Sequence, residues 1–153
     1  MEEFRKTQVE EANRLLAPIR NTFDISTKLR NLPVMPWATD DTSSTCVALY
    51  EKQGQTFVLI EKTDWQHNNA MPNFTRPLLM PFTVPLIPSV VKLVVYDHTF
   101  DDQHIVGSAL VRTDTFQRYV GQEMLIKLKN VTDPVIDALL ADSNSRIIVP
   151  ALL

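Results

Sequence analysis

Glycine is scarce in this 153-residue chain: Gly54, Gly107 and Gly121 are the whole supply, each isolated from the others. No glycine-rich loop that cradles phosphates can be built from them, which removes P-loop and dinucleotide-binding chemistry. Cysteine is scarcer still. Cys46 stands alone, so no internal disulfide can form and there is no Cys-x-x-Cys pair for metal or redox work. Neither G-x-S-x-G nor H-E-x-x-H occurs, and Asp64 and His67 have no nucleophile placed to use them. Catalysis and a cofactor are therefore not expected. No apolar run reaches the roughly 18 residues that suggest a membrane span. Met1 is followed by Glu2, Glu3, Arg5 and Lys6 instead of an apolar signal core. Glu2 also stands where N-myristoylation needs glycine. These absences predict a cytoplasmic location with at most peripheral membrane contact, and in that setting the sequons at Asn73 and Asn130 are chance matches. An excess of positive charge is missing too. Lys and Arg number 15 against 18 Asp and Glu, which disfavours nucleic acid as the main partner.

What is present is the material of one globular domain, 44% hydrophobic and 22% charged. Residues 2 to 17 place Phe4, Val9, Ala12, Leu15 and Leu16 at loose helical spacing among charged side chains, ended by Pro18. We assign 1–20 to an N-terminal amphipathic helical extension that braces the domain, because acidic residues on its polar face disfavour lying on a membrane. From Phe23 onward short β-like runs alternate with turn residues. The expected strands are Phe23–Leu32, Thr45–Lys52, Thr56–Thr63, Asn73–Val84, Ser89–Asp97, Ile105–Thr113, Gln122–Lys129 and Ser145–Leu153. The second and third form a hairpin around Gln53-Gly54. Pro77 and Pro81 send the fourth to an edge or a bulge, since proline cannot donate to a ladder. Asp133-Pro134 reads as the N-cap and first position of a short helix through Ala141.

Three segments in this order resemble a C2 domain. Ser89–Val111, SVVKLVVYDHTFDDQHIVGSALV, is similar to the strand, acidic third loop and Ile-Val-Gly strand of that family. Glu61–Pro77 resembles its strand, polar linker and Asn-Pro-x-Phe turn, with Pro72 and Phe74 in place. Lys28–Pro33 resembles the strand leading into the first loop. The resemblance implies an all-β, eight-stranded antiparallel C2-type β-sandwich over 21–153, with a helix at each of the two places named above. The strand order resembles the circularly permuted type II topology, most like the N-terminal C2 domain of copines, with inositol polyphosphate 4-phosphatases second. The apolar terminal strand IIVPALL suits one module of a larger polypeptide.

Calcium binding in this family needs a cluster of loop aspartates, since the ion takes about six to eight oxygens. Asp97 matches the family's first third-loop position, but Thr99 and His104 stand where further aspartates are usual, and Pro36 and Ser44 fall at the first-loop ones. No metal is therefore expected. An irregular calcium site from Asp40, Asp41, Asp97, Asp101 and Asp102 stays open, as does a zinc site from Asp97, His98, Asp101, Asp102 and His104. In the C2 arrangement the first and third loops share one end of the sandwich. Val34, Met35, Trp37 and Phe100 then form an apolar crown able to touch a bilayer, each side chain contributing roughly 1.5 to 3 kcal/mol when buried. Alternatively Trp37 folds back to cap the core with one edge wet. Trp65, after a strand end, is read as packing. Lys52, Lys62, Arg76 and Lys92 are candidate headgroup contacts on the concave face that many C2 domains use for phosphoinositides.

The functional expectation is a non-catalytic module for peripheral, calcium-independent docking to phospholipid membranes. The alternative is a degenerate C2 domain acting in protein–protein interaction or assembly. A calcium-switched domain is the third reading.

Overall fold

A computed structural model describes residues 19–37, 44–67, 71–84, 88–99, 102–119 and 122–150. The expected N-terminal helix lies outside the described residues. Ten antiparallel strands are present among those described: β1 Ile19–Ile25, β2 Lys28–Arg30, β3 Ser44–Gln53, β4 Thr56–Lys62, β5 Gln66–His67, β6 Leu78–Val84, β7 Val90–His98, β8 Gln103–Arg112, β9 Glu123–Lys127 and β10 Arg146–Pro150. Two helices interrupt them, α1 Thr113–Arg118 and α2 Pro134–Ser143.

The larger sheet runs β4-β3-β7-β8, with β5 paired to the start of β3. Strand β3 sits inside it, and Cys46 through Leu49 are buried on both faces. The β3–β4 hairpin turns on Gly54, whose φ of +64° is the left-handed backbone demanded at the first central position of a II′ turn. The rest of the sandwich comprises a β2-β10-β9 sheet and a β1-β6 pair. Pro72–Phe74 ties to the bend between β1 and β2 through Leu29 N–H to Pro72 O (3.0 Å) and Phe74 N–H to Thr27 O (3.3 Å). Between the layers Leu29, Val47, Leu49, Leu78, Met80, Leu93, Val95, Val106 and Ile147 form the core, closed by Phe116 of α1 and by Ile136 and Leu140 of α2.

The all-β sandwich is the fold expected, but the count of eight strands becomes ten. The long first strand breaks at Ser26-Thr27 into β1 and β2, which pair with different partners, β6 and β10. The polar linker contributes β5, two residues paired to Ser44 and Thr45. Neither effect leaves a periodic signal, because each is a long-range pairing. Asn73–Pro77 is irregular apart from one bridge, Lys28 to Asn73. Pro81 falls in β6, which among the described residues pairs with β1 alone, so its missing N–H costs no central ladder there. Helix α1 was not expected; Asp114 in its first turn takes both Arg112 and Arg118.

Helix α2 begins where Asp133-Pro134 predicts. The Asp133 carboxylate accepts from Val135 N–H (3.0 Å) and Ile136 N–H (3.3 Å), and Asn144 closes the helix in the left-handed region. Gly107 of β8 is where this end of the sandwich closes tightly. A Cβ there would meet the Lys129 carbonyl at 3.1 Å and Leu140 Cδ1 at 3.0 Å.

Asp64 fastens the linker. Its Oδ1 accepts from the N–H groups of Thr75 (2.9 Å) and Arg76 (2.8 Å), and its Oδ2 from Gln66 (2.6 Å). Burial pushes this carboxyl up, but the hydrogen bonds outweigh it and hold Asp64 below the usual carboxylate range. A depressed carboxyl adds stability that is present above the unfolded value of about 4 and is lost as pH falls through the lower folded value. The urea midpoint of the protein minus that of Asp64→Asn should thus be largest near neutrality and shrink below about pH 4. A difference that does not change with pH would show that the charge plays no part.

Candidate functional site

The first loop, after β2, reaches the adjoining ends of β7 and β8 through Trp37. Its indole Nε1–H donates to Asp97 Oδ2 (2.7 Å), and its ring stacks on His104 with centroids 4.3 Å apart and planes 10° from parallel. Register explains the meeting: Asp97 of β7 lies directly opposite both His104 of β8 and Thr45 of β3. Asp97 is 3% exposed, and its other oxygen, like the buried Thr45 hydroxyl, has no hydrogen-bond partner among the described residues.

Of the expected apolar crown, Met35 is buried at 5% exposure, packed into the core cluster, and Trp37 is half-buried against it. Val34 projects, 82% exposed. Phe100 lies outside the described residues, as do Asp40, Asp41 and Asp101. Asp102 closes the β7–β8 turn: its carbonyl accepts from Thr99 N–H (2.9 Å) and its side chain from Gln103 N–H (2.9 Å). Among the described residues no three of His, Cys, Asp or Glu converge to hold a metal. His98 faces away from Asp97, beside Trp65 (centroids 5.7 Å) and opposite Ser44. Trp65 is partly exposed there, packing against an imidazole instead of the core.

Pairing sorts the charges of the larger sheet by face. On the face turned from the core cluster, Lys52 is opposite Phe57, Lys62 opposite Ala48, and Lys92 opposite both Tyr50 and Leu110. A register shift at Leu49/Tyr50 puts Lys62 on the same face as Lys52. No described strand position on this face carries Asp or Glu; Glu51, Glu61 and Asp97 pair with Val91, Leu49 and Thr45 on the opposite one. Arg76, expected among these cations, is instead ion-paired to Glu61 (2.6 Å).

Lys129 joins the face, and nothing in its sequence setting signalled it. Its backbone exchanges both hydrogen bonds with Ser108, N–H to O at 2.8 and 3.1 Å, which lays it along the edge of β8. Lys92 and Lys129 then line a cavity of about 260 Å³ floored by Tyr50, Tyr96 and Phe57. The Lys92 ammonium lies 5.6 Å from the Phe57 ring centroid. The two phenol hydroxyls bond each other (2.5 Å), and burial followed by that bond pushes the Tyr96 phenol up, so it stays protonated. Burial likewise pushes the Cys46 thiol up to about 11, against the pull of the Lys62 ammonium, which leaves it inert as a nucleophile.

Among the described residues no helix is long and apolar enough to cross a membrane. No protein-family model matches the chain, and no curated protein matches its sequence. A solved structure, BON1-C2B, a C2 domain of the copine-related protein BON1, is similar in fold. It superimposes with a TM-score of 0.57 at 14% identity, covering 85% of this chain and 88% of its own. With its paired antiparallel layers, this chain has the fold of a C2 domain.

Proposed function

We propose that this domain is a non-catalytic, copine-like C2 module that docks peripherally, without calcium, on anionic phospholipid surfaces. The observation that carries the proposal is the charge sorting of the larger sheet: Lys52, Lys62, Lys92 and Lys129 share a region free of described strand carboxylates in a chain of net charge −3. Such a region attracts an anionic leaflet at about 1 kcal/mol per lysine near the surface. Calcium independence is supported by Trp37, whose N–H occupies one oxygen of the single family-matched loop aspartate. Val34 is the described first-loop tip left to touch a bilayer, with Met35 and Trp37 engaged inside.

Vesicle co-sedimentation tests this, using neutral, phosphatidylserine-rich and phosphoinositide-containing compositions, each with calcium and with chelator. Binding to the anionic vesicles should survive chelator and weaken with added salt. Lys52→Ala and Lys62→Ala should each weaken it about fivefold. Binding that requires calcium would overturn the proposal, and so would binding indifferent to both lysines.

Assembly is a second reading, and a different surface favours it. The edges of β8 and β9 diverge beyond the Ser108–Lys129 bridge and leave a groove of about 470 Å³ flanked by exposed Leu110, Tyr119 and Leu125. Failure to bind any vesicle would move the function to a protein contact of this kind.

A further inference from the structure

We infer that the cavity between Lys92 and Lys129 takes a phosphomonoester carried directly on a glycerolipid, the headgroup of phosphatidate. The inference rests on the sheet face being a lipid-docking surface and names the lipid class that it selects.

The polar groups facing the cavity favour an anion. Lys92 and Lys129 supply two ammonium groups, and the Ser108 hydroxyl has no partner among the described residues. One hydrogen of the Tyr50–Tyr96 hydroxyl pair is spent between them, which leaves the other to donate. The neighbouring loop has little left to offer. Asn130 uses both ends of its amide on Ile105, Val106, Thr132 and Asp133, and the Thr132 hydroxyl donates back to Asn130. The backbone groups of Ser108 and Lys129 satisfy each other.

The walls decide which anion. Phe57, Val94, Ile105 and Val131 line the same cavity, with Val131 84% exposed at its mouth. An inositol ring carries hydroxyls around its rim, and each one set against these side chains loses water without gaining a partner. Serine and choline headgroups bring a cation of their own toward two lysines. A phosphomonoester on glycerol has neither fault. It carries about −1.5 to −2 charges near neutrality, and its ester stem is largely apolar. At about 260 Å³ the cavity lies just under the usual range for ligand pockets, roughly 300–1,000 Å³. That space suits a headgroup and stem while the acyl chains stay in the bilayer.

The test uses the full chain in chelator with phosphatidylcholine vesicles containing phosphatidate, phosphatidylserine or phosphatidylinositol 4-phosphate, matched for surface charge. Phosphatidate should bind about tenfold more tightly than phosphatidylserine, a difference of about 1.4 kcal/mol. Lys129→Ala and Lys92→Ala should erase that preference, whereas Lys52→Ala should weaken all three lipids alike. Equal binding to the three, or preference for the phosphoinositide, overturns the phosphatidate assignment and leaves lipid docking standing. No binding to any anionic vesicle overturns both. Excess inorganic phosphate at constant ionic strength should leave the phosphatidate preference intact; its loss would assign the cavity to free phosphate and overturn the lipid inference.

Discussion

Asn130→Ala should lower the unfolding free energy by about 3 kcal/mol, the largest loss expected from a single side-chain truncation outside the apolar core. Asn130 is 7% exposed, yet its side chain makes five hydrogen bonds. Its Nδ2 donates to the carbonyls of Ile105 (3.3 Å) and Val106 (3.2 Å), where β8 bulges because Val106 is an extra residue against Val95 and Tyr96 of β7. Its Oδ1 accepts from Thr132 N–H (3.1 Å), the Thr132 hydroxyl (3.0 Å) and Asp133 N–H (2.9 Å). One side chain thus fastens a bulged strand to the loop that opens α2. Alanine leaves those N–H and C=O groups without partners, and each one that water cannot reach costs about 1 to 3 kcal/mol. Exposure of Thr132 lets water repair part of the damage, which keeps the total near the lower end. For a domain of this size the melting temperature should fall by about 10 °C. Urea denaturation checks the free energy, with Thr132→Val as a control that removes the hydroxyl bond alone and costs about 1 kcal/mol. If Asn130→Ala costs no more than that control, the loop is held by something other than this amide. The same loop begins at Lys129, so the variant should also lose lipid preference while Lys52 and Lys62 keep their general attraction.

Trp37→Phe should cost about 2 kcal/mol, because a hydrogen bond to a charged group contributes roughly 1.5 to 3. Phenylalanine keeps most of the ring that stacks on His104 but has no N–H for Asp97, whose buried carboxylate then has neither oxygen hydrogen-bonded among the described residues. A double-mutant cycle with Asp97→Asn isolates the contact, and a coupling energy of at least about 1 kcal/mol is expected. In the intact protein the Trp37 indole N–H should exchange with solvent slowly, as befits a half-buried donor on a buried acceptor. Vesicle binding distinguishes the two fates foreseen for this residue. If Trp37 stays on Asp97, Trp37→Phe leaves binding within about twofold of the original, since docking runs through the lysines. A large loss of vesicle binding with unchanged stability would mean that the indole leaves Asp97 and enters the bilayer.

The three histidines show how tertiary structure reassigns residues that look alike in sequence. His67, His98 and His104 all lie at one end of the larger sheet, on β5, β7 and β8. Adjacent strand positions point to opposite faces, so His98 sits with Trp65 and Ser44 while Asp97 and His104 turn toward Trp37. The spacing that suggested a zinc cluster ignored that division. Lys52 and Lys62 share one face of the larger sheet only because the register shift between Leu49 and Tyr50 brings them into phase.

By itself the sequence determined the β-rich domain, the Gly54 hairpin and the start of α2 at Asp133-Pro134. These depend on local rules: period-two burial, a backbone that needs positive φ, and a side chain that caps its own helix. Segment order also carried the likeness to a C2 domain. Tertiary structure alone decided that Trp37 lies on Asp97, that Met35 belongs to the core and that Arg76 is taken by Glu61. It also decided that Lys129, 37 positions from Lys92, completes a cavity with it. The physical reason is common to all four. Each contact joins strands or loops far apart in the chain, and local propensity does not record which strands become neighbours or which of their faces meet.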